Sequence, residues 1–312
     1  MLYVSSKNMP NKKQEYWILI ISKSLNIIFV FGGIKFLTFY FDEKSVGFYY
    51  LIMSLVSFIN LSILNAPSNF FFRNFQDIIN KKSFYSILKF CVILSIVLSI
   101  ISFFPLFLLL QNVSENIFLI ALITSLYLIS DFLARNSLNI FLTLRKFKKY
   151  ISYSLIYFVL SLLLAGLFCI ITNNIYGWFI GLIFSHLILL IFESKNISKE
   201  NFYKSKIFRP SKLFYNYSIP LIISNIFLWS YSQGFRILIE KYFSLEDLGL
   251  ISIVLFISNG ILSHLESLFS SYYNPKFYVS YDNNNYFNSL LNDYIRDLSI
   301  FICVFSFFIL NN

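Results

Sequence analysis

Metal, redox and nucleotide chemistry have little to work with in this sequence. Its 312 residues include three cysteines and two histidines. Cys91, Cys169 and Cys303 stand singly inside apolar runs with no CxxC spacing, so neither a disulfide framework nor a metal site is indicated. His186 and His264 lie in separate apolar runs, without a Cys or Asp partner close in sequence, and read as core histidines. No Walker-type glycine loop occurs, so the chain does not hydrolyse nucleotide by itself, and no cofactor is expected. Charge is scarce too: only 13% of residues are Asp, Glu, Lys or Arg, too few to coat a soluble domain of this length. The longest polar stretch, about 193–214, is basic and linker-like, so no catalytic domain stands outside the apolar runs.

What remains is apolar, at 57% of residues. Runs of 18 or more nearly uncharged residues recur, each long enough to cross a ~30 Å hydrocarbon layer as a helix. The sequence therefore predicts an all-α polytopic membrane protein with about nine transmembrane helices. They fall near 16–41, 46–71, 84–110, 117–142, 150–172, 174–192, 215–243, 249–272 and 289–310. The first run, Tyr16 to Phe41, is too long for a cleavable signal and lacks a small-residue cleavage site. Aromatic residues reach 21%, but Phe, Tyr, Ile, Asn and Lys are abundant together, as an AT-rich coding sequence would produce. Aromatic stripes are therefore read as lipid-facing, packed or interfacial residues, not as sugar-stacking platforms.

Basic residues set the orientation. Nineteen lie before the first span or in the loops that follow the second, fourth, sixth and eighth; only Lys44 and Lys241 occupy the alternate loops. The positive-inside rule makes the amino end cytoplasmic, and an odd number of spans puts Asn312 on the opposite side. This bias accounts for the net charge of +10, and the basic cluster between residues 195 and 212 reads as a loop beside anionic lipid, with no nucleic-acid partner. Reporter fusions after residues 205 and 312 should report opposite compartments. Both on one side would overturn the nine-span map.

A repeat runs through the chain. "YFDEKSVG" at 40–47 recurs as "YFSLEDLG" at 242–249, and "LIIS" at 19–22 recurs at 221–224. Eight of the positions in 19–47 are identical in 221–249 without gaps, Gly32 with Gly234 among them. The 202-residue offset contains six spans. An even number returns the chain to the same side, so the copies run parallel, related by an axis along the membrane normal. The expected organisation is a six-helix lobe (1–193), a basic cytoplasmic linker (194–214) and a partial second lobe of three helices (215–312). The turn glycines, Gly47 and Gly249, are expected to permit a tight turn and close approach of the following helix.

"FYFDEKSVGFYYLIMSLVSFI" and "IPLIISNIFLWSYSQGFRILIEKYFSLEDLGLISI" resemble the first and seventh helix regions of polysaccharide flippases. These are the Wzx-like exporters of the multidrug/oligosaccharidyl-lipid/polysaccharide superfamily. In that family the seventh helix often begins with a proline and carries an acidic–Arg pair. Pro220 and Arg236 match, but position 235 is Phe, so the acidic partner is missing. Members usually have twelve or more spans, so the resemblance also implies that the last helices are lacking. It implies a flippase in the inner (plasma) membrane that moves a polyprenyl-diphosphate-linked oligosaccharide by alternating access, for O-antigen, capsule or other surface polysaccharide. Membrane lipids and other polysaccharide-assembly proteins are the implied partners. Two alternatives stay open: an inactive or partner-dependent truncated flippase, and a drug/cation antiporter of the same superfamily, which should show acidic cleft residues.

Charges inside spans are costly, roughly 2.5–3.5 kcal/mol each at the helix centre, and so mark candidate sites. Lys23, Lys35 and Arg236 are the candidate substrate-binding cations for a diphosphate, Arg by a bidentate fork and Lys as a point charge. Asp131 and Glu240 are the candidate ion-coupling residues. Asp131 has Arg135 one turn on, and Arg236 has Glu240, expected to pair when the cleft is empty. Glu266 and His264 are expected to face one interior.

Overall fold

The computed structural model describes residues 12–74, 86, 89–90, 92–97, 99–101, 117–143, 146–194, 210–280 and 284–310. Every regular element among them is helical. In chain order these are α1 (Lys12–Tyr40), α2 (Glu43–Phe58), a π-helical segment (Ile59–Leu64), α3 (Asn65–Arg73), α4 (Ile117–Thr143) and α5 (Phe147–Thr172). Then come α6 (Tyr176–Ser194), α7 (Lys212–Ser232), α8 (Phe235–Tyr242), α9 (Leu245–Ser280) and α10 (Asn284–Leu310). Four stretches are long and apolar enough to cross a membrane: Glu43–Arg73, Phe118–Phe141, Lys148–Thr172 and Tyr176–Glu193. They are the second, fourth, fifth and sixth expected spans. The chain ends, most of the third expected span and most of the 194–214 linker lie outside the described residues.

Two expected spans differ in form. The seventh, 215–243, is two helices that break at Gln233–Gly234. The amides of Gln233 and Gly234 both donate to the Trp229 carbonyl, which closes α7 and lets α8 restart on a new line. The eighth is longer than expected. α9 has 36 residues, roughly 54 Å at 1.5 Å per residue, so it exceeds the hydrocarbon thickness.

The repeated turns have a common construction. Asp42 caps α2, its carboxylate accepting from the Ser45 amide at 3.3 Å. Ser244 caps α9, its Oγ accepting from the Asp247 amide at 3.1 Å and donating to the Asp247 carboxylate at 2.6 Å. The two caps are 202 positions apart, as are the glycines five residues on. α2 and α9 pack on one another where those glycines meet. A Cβ built on Gly47 would land on the Leu245 carbonyl oxygen, and one built on Gly249 on the Glu43 carbonyl oxygen. Adding 202 to 43 and 47 gives 245 and 249, so the contact is reciprocal under the repeat. This is why the turn occurs twice: each cap starts a helix whose glycine admits the backbone of the other.

The flanking helices follow the same exchange. α1 meets α9 through Phe31 and Phe256, ring centroids 5.5 Å apart. α7 meets α2 through Trp229 and Phe58, 4.7 Å apart. The Trp229 indole donates to the Ser54 carbonyl at 2.9 Å, and Asn225 donates to the Leu61 carbonyl in the π-helical segment at 2.9 Å. On the other flank α5 and α6 form a tight antiparallel pair. Asn173 ends α5 in the left-handed conformation (φ 47°) and accepts from the Tyr40 hydroxyl at 2.9 Å. Gly177 and Gly181 then bring α6 against the backbone of Phe168 and Ala165. Small residues permit such close approach where apolar lipid gives helices no hydrophobic reason to associate. Phe48, Ile52, Leu128, Phe179 and Leu248 are buried between α2, α4, α6 and α9.

Candidate functional site

With the Tyr40–Glu43 turn set at the top, two cavities lie one above the other between these helices. The upper one, about 410 Å³, is walled by α1, α2, α4, α5, α6, α8 and α9 and mixes aliphatic side chains with aromatic ones, Tyr49, Tyr50, Tyr127, Tyr157 and Trp178 among them. The lower one, about 350 Å³, is walled by α2, the π-helical segment, α3, α4 and the end of α7. Met53, Ser57 and Gln233 border both. Each volume lies in the range of small-molecule sites, roughly 300–1,000 Å³.

The lower cavity is lined with amides. α2, the π-helical segment and α3 contain three asparagines in all, Asn60, Asn65 and Asn69, and α4 contains two, Asn136 and Asn139. All five line this one cavity, with Gln233 at its roof. An AT-rich composition accounts for asparagine number, not for this convergence. The π-helical segment is part of the cause. The Asn65 amide bonds the Asn60 carbonyl five residues back, and the widened turn brings Asn60 towards the face of Asn65 and Asn69. Each side-chain amide offers donors and an acceptor, the complement of a hydroxyl. Sequence reading missed this group. Its signal was three costly polar residues at five- and four-residue spacing in an apolar run.

Among the described residues one cation lines each cavity, and no carboxylate lines either. Arg236, at the start of α8, borders the upper cavity with its guanidinium over the Tyr50 ring, 5.2 Å from the centroid. Its Nε is buried and makes no hydrogen bond among the described residues. The expected pair with Glu240 is not formed. The break at Gln233–Gly234 turns Arg236 towards the Tyr50 face, a cation–π contact. Arginine preceding glutamate is also the weaker order along a helix. Arg135 borders the lower cavity. Its Nε donates to Asp131 Oδ1 at 2.7 Å, and its side chain is 63% accessible against 2% for Asp131.

Asp131 is the centre of a buried polar cluster. Asn60 donates to its Oδ2 at 3.0 Å, and His186 Nε2 stands 3.8 Å from its Oδ1. His186 is fully buried, with Ser130 Oγ 3.1 Å from Nδ1 and Tyr157 Oη 2.9 Å from Nε2. No partner of His186 is visible in sequence because its neighbours are 29 and 56 positions away. Of the remaining candidates, Lys35, Glu240 and Glu266 line neither cavity. Lys35 is exposed on α1. The Lys23 and His264 side chains lie outside the described residues, and Glu266 is exposed. Among the described residues no group of three or more His, Cys, Asp or Glu is disposed to hold a metal ion.

No family profile, no curated protein and no solved structure matches this chain.

Proposed function

We propose that the protein is a membrane transporter for an anionic, sugar-bearing lipid, a polyprenyl-diphosphate-linked oligosaccharide, which it moves across the inner membrane by alternating access. The observation that carries this reading is the chemistry of the two cavity walls. Arg236 presents a buried, unpaired guanidinium donor in a chamber lined mainly by aromatic and aliphatic side chains. A buried donor without a partner costs about 1–3 kcal/mol, more for a charged group, and a diphosphate oxygen would relieve that cost. Below it, five asparagines and Gln233 match the hydroxyls of a glycan, which cannot cross hydrocarbon unaided at several kcal/mol per unpaired group. The helices that bound both chambers include the pair that crosses reciprocally at Gly47 and Gly249, so rocking about that contact would expose the chambers alternately. The likeness of residues 39–59 and 219–253 to polysaccharide flippases supports the same cargo. A drug/cation antiporter needs a carboxylate facing the cargo, and among the described residues neither wall has one.

The test is translocation by the purified chain in sealed vesicles. Fluorescent polyprenyl-diphosphate disaccharide should become wholly accessible to an impermeant quencher, while protein-free vesicles keep their inner-leaflet pool protected. Protection equal to that of empty vesicles would overturn the proposal, as would efflux of an organic dye cation in its place.

A further inference from the structure

We propose that His186 Nε2 is a proton-binding site that controls the charge of the lower cavity by competing with Arg135 for Asp131. Its use as a coupling site rests on the transporter reading; the proton binding does not.

Hydrogen-bond accounting fixes the neutral tautomer. The Ser130 hydroxyl has one hydrogen, and it donates to the Tyr127 carbonyl at 2.9 Å. Towards His186 it can only accept, so Nδ1 carries the hydrogen of the neutral ring. Nε2 is then the lone-pair nitrogen, and the Tyr157 hydroxyl donates to it at 2.9 Å. Tyr157 also lines the upper cavity, and its ring stacks on the imidazole with centroids 5.1 Å apart. A proton taken from water in the upper cavity therefore has one place to bond, Nε2, and the Tyr157 hydroxyl turns from donor to acceptor. One proton is gained, and no electron moves.

That nitrogen already stands 3.8 Å from Asp131 Oδ1, the oxygen that holds Arg135 at 2.7 Å. The other titratable and charged groups around the ring are Tyr127 and Arg135 on α4 and Tyr157 on α5, with Tyr49 of α2 sharing the cavity wall. Among the described residues Asp131 is the one anion of the cluster. With Nδ1–H on Ser130 and Nε2–H on Tyr157, the imidazolium acts on Asp131 through its charge at 3.8 Å, and it and the guanidinium share one carboxylate whose second oxygen is engaged by Asn60. His186 is confined by burial, whereas the Arg135 side chain is 63% accessible and borders the lower cavity. Arg135 is the partner free to leave. Proton uptake from the upper chamber thus releases a guanidinium into the lower one, which links an ion on one side to an anion site on the other.

A cysteine reporter reads this without any transport assay. With Cys91, Cys169 and Cys303 replaced, Asn139→Cys puts a thiol on the lower cavity wall. Its labelling by an anionic thiosulfonate is divided by labelling with a neutral one, which cancels thiolate chemistry. Between about pH 8 and pH 4 the ratio should rise at least about fivefold, the lower end of coupling between two sites. In His186→Gln the ratio should stay low at every pH. In Asp131→Asn, where Arg135 has no carboxylate to hold it, the ratio should stay high at every pH. A flat ratio in the parent, or the same rise in His186→Gln, overturns the proposal. If the Gln variant does not insert, a pH-dependent ratio surviving in Asp131→Asn overturns it instead. A ratio that behaves as expected in a chain that moves no glycolipid supports the proton site and counts against the flippase reading alone.

Discussion

A Gly47→Val chain should fail to accumulate as a folded protein. Any Cβ at this position meets the Leu245 carbonyl oxygen, and the backbone of α9 cannot rotate out of the way as a flexible side chain would. Overpacking of side chains alone costs about 1–3 kcal/mol, and forcing two helix backbones apart should exceed that range. Gly249→Val is the reciprocal test, because its Cβ meets the Glu43 carbonyl oxygen. The two variants should be equally severe if the repeat places both glycines at one crossing. Gly32→Ala is the control, since nothing lies within 4 Å of a Cβ there. Membrane abundance and the elution profile of fluorescent fusions report the result. A monodisperse Gly47→Val protein with the melting temperature of the parent would mean that α2 and α9 do not cross at this point.

Arg236→Ala should lose glycolipid translocation by at least about tenfold at unchanged abundance, consistent with the roughly 1.5–3 kcal/mol of a hydrogen bond to a charged group. Removing this side chain leaves no buried polar partner behind, because its Nε has none among the described residues. Stability should therefore fall by no more than the lost cation–π contact with the Tyr50 ring, roughly 0.5–2 kcal/mol. Arg236→Lys should retain partial activity, since the charge survives but the two-pronged donor does not. Glu240→Gln should be close to neutral, because no ion pair joins Glu240 to Arg236 here. Parent-level translocation by the Ala variant in the vesicle assay would remove Arg236 from the site. It would leave the cation–π contact with Tyr50 as the whole of its role.

Much of the architecture was legible in one dimension. Apolar run length is a local property, and it located the Glu43–Arg73 stretch, α4, α5 and α6 within a few residues of their observed ends. The caps at Asp42 and Ser244 were visible as polar residues at the same register of a repeat, and the glycines five positions on were expected to permit close approach. The break at Gln233–Gly234 was not expected, because Gly234 aligns with Gly32, and Gly32 continues an unbroken helix. One residue type serves both outcomes. Which one occurs depends on the packing of Trp229 and Asn225 against α2 and the π-helical segment, not on the glycine itself.

The candidate site divides along the same line. The sequence by itself determined a helical, strongly apolar chain, and it put Asp131 and Arg135 on one face of one helix, since a four-residue spacing closes within a turn. It also singled out Arg236 through the cost of a charge in an apolar run. Tertiary structure alone decided that Arg236 faces Tyr50 and a cavity, while Lys35 faces outward. Only the fold could bring five asparagines from two helical segments to one wall and set His186 against Asp131 across 55 residues of chain. The physical reason is that an isolated polar residue in a membrane helix has no local partner to reveal its role. Its hydrogen bonds are supplied by other helices, and which helices those are is settled by the close approaches at Gly47, Gly249, Gly177 and Gly181.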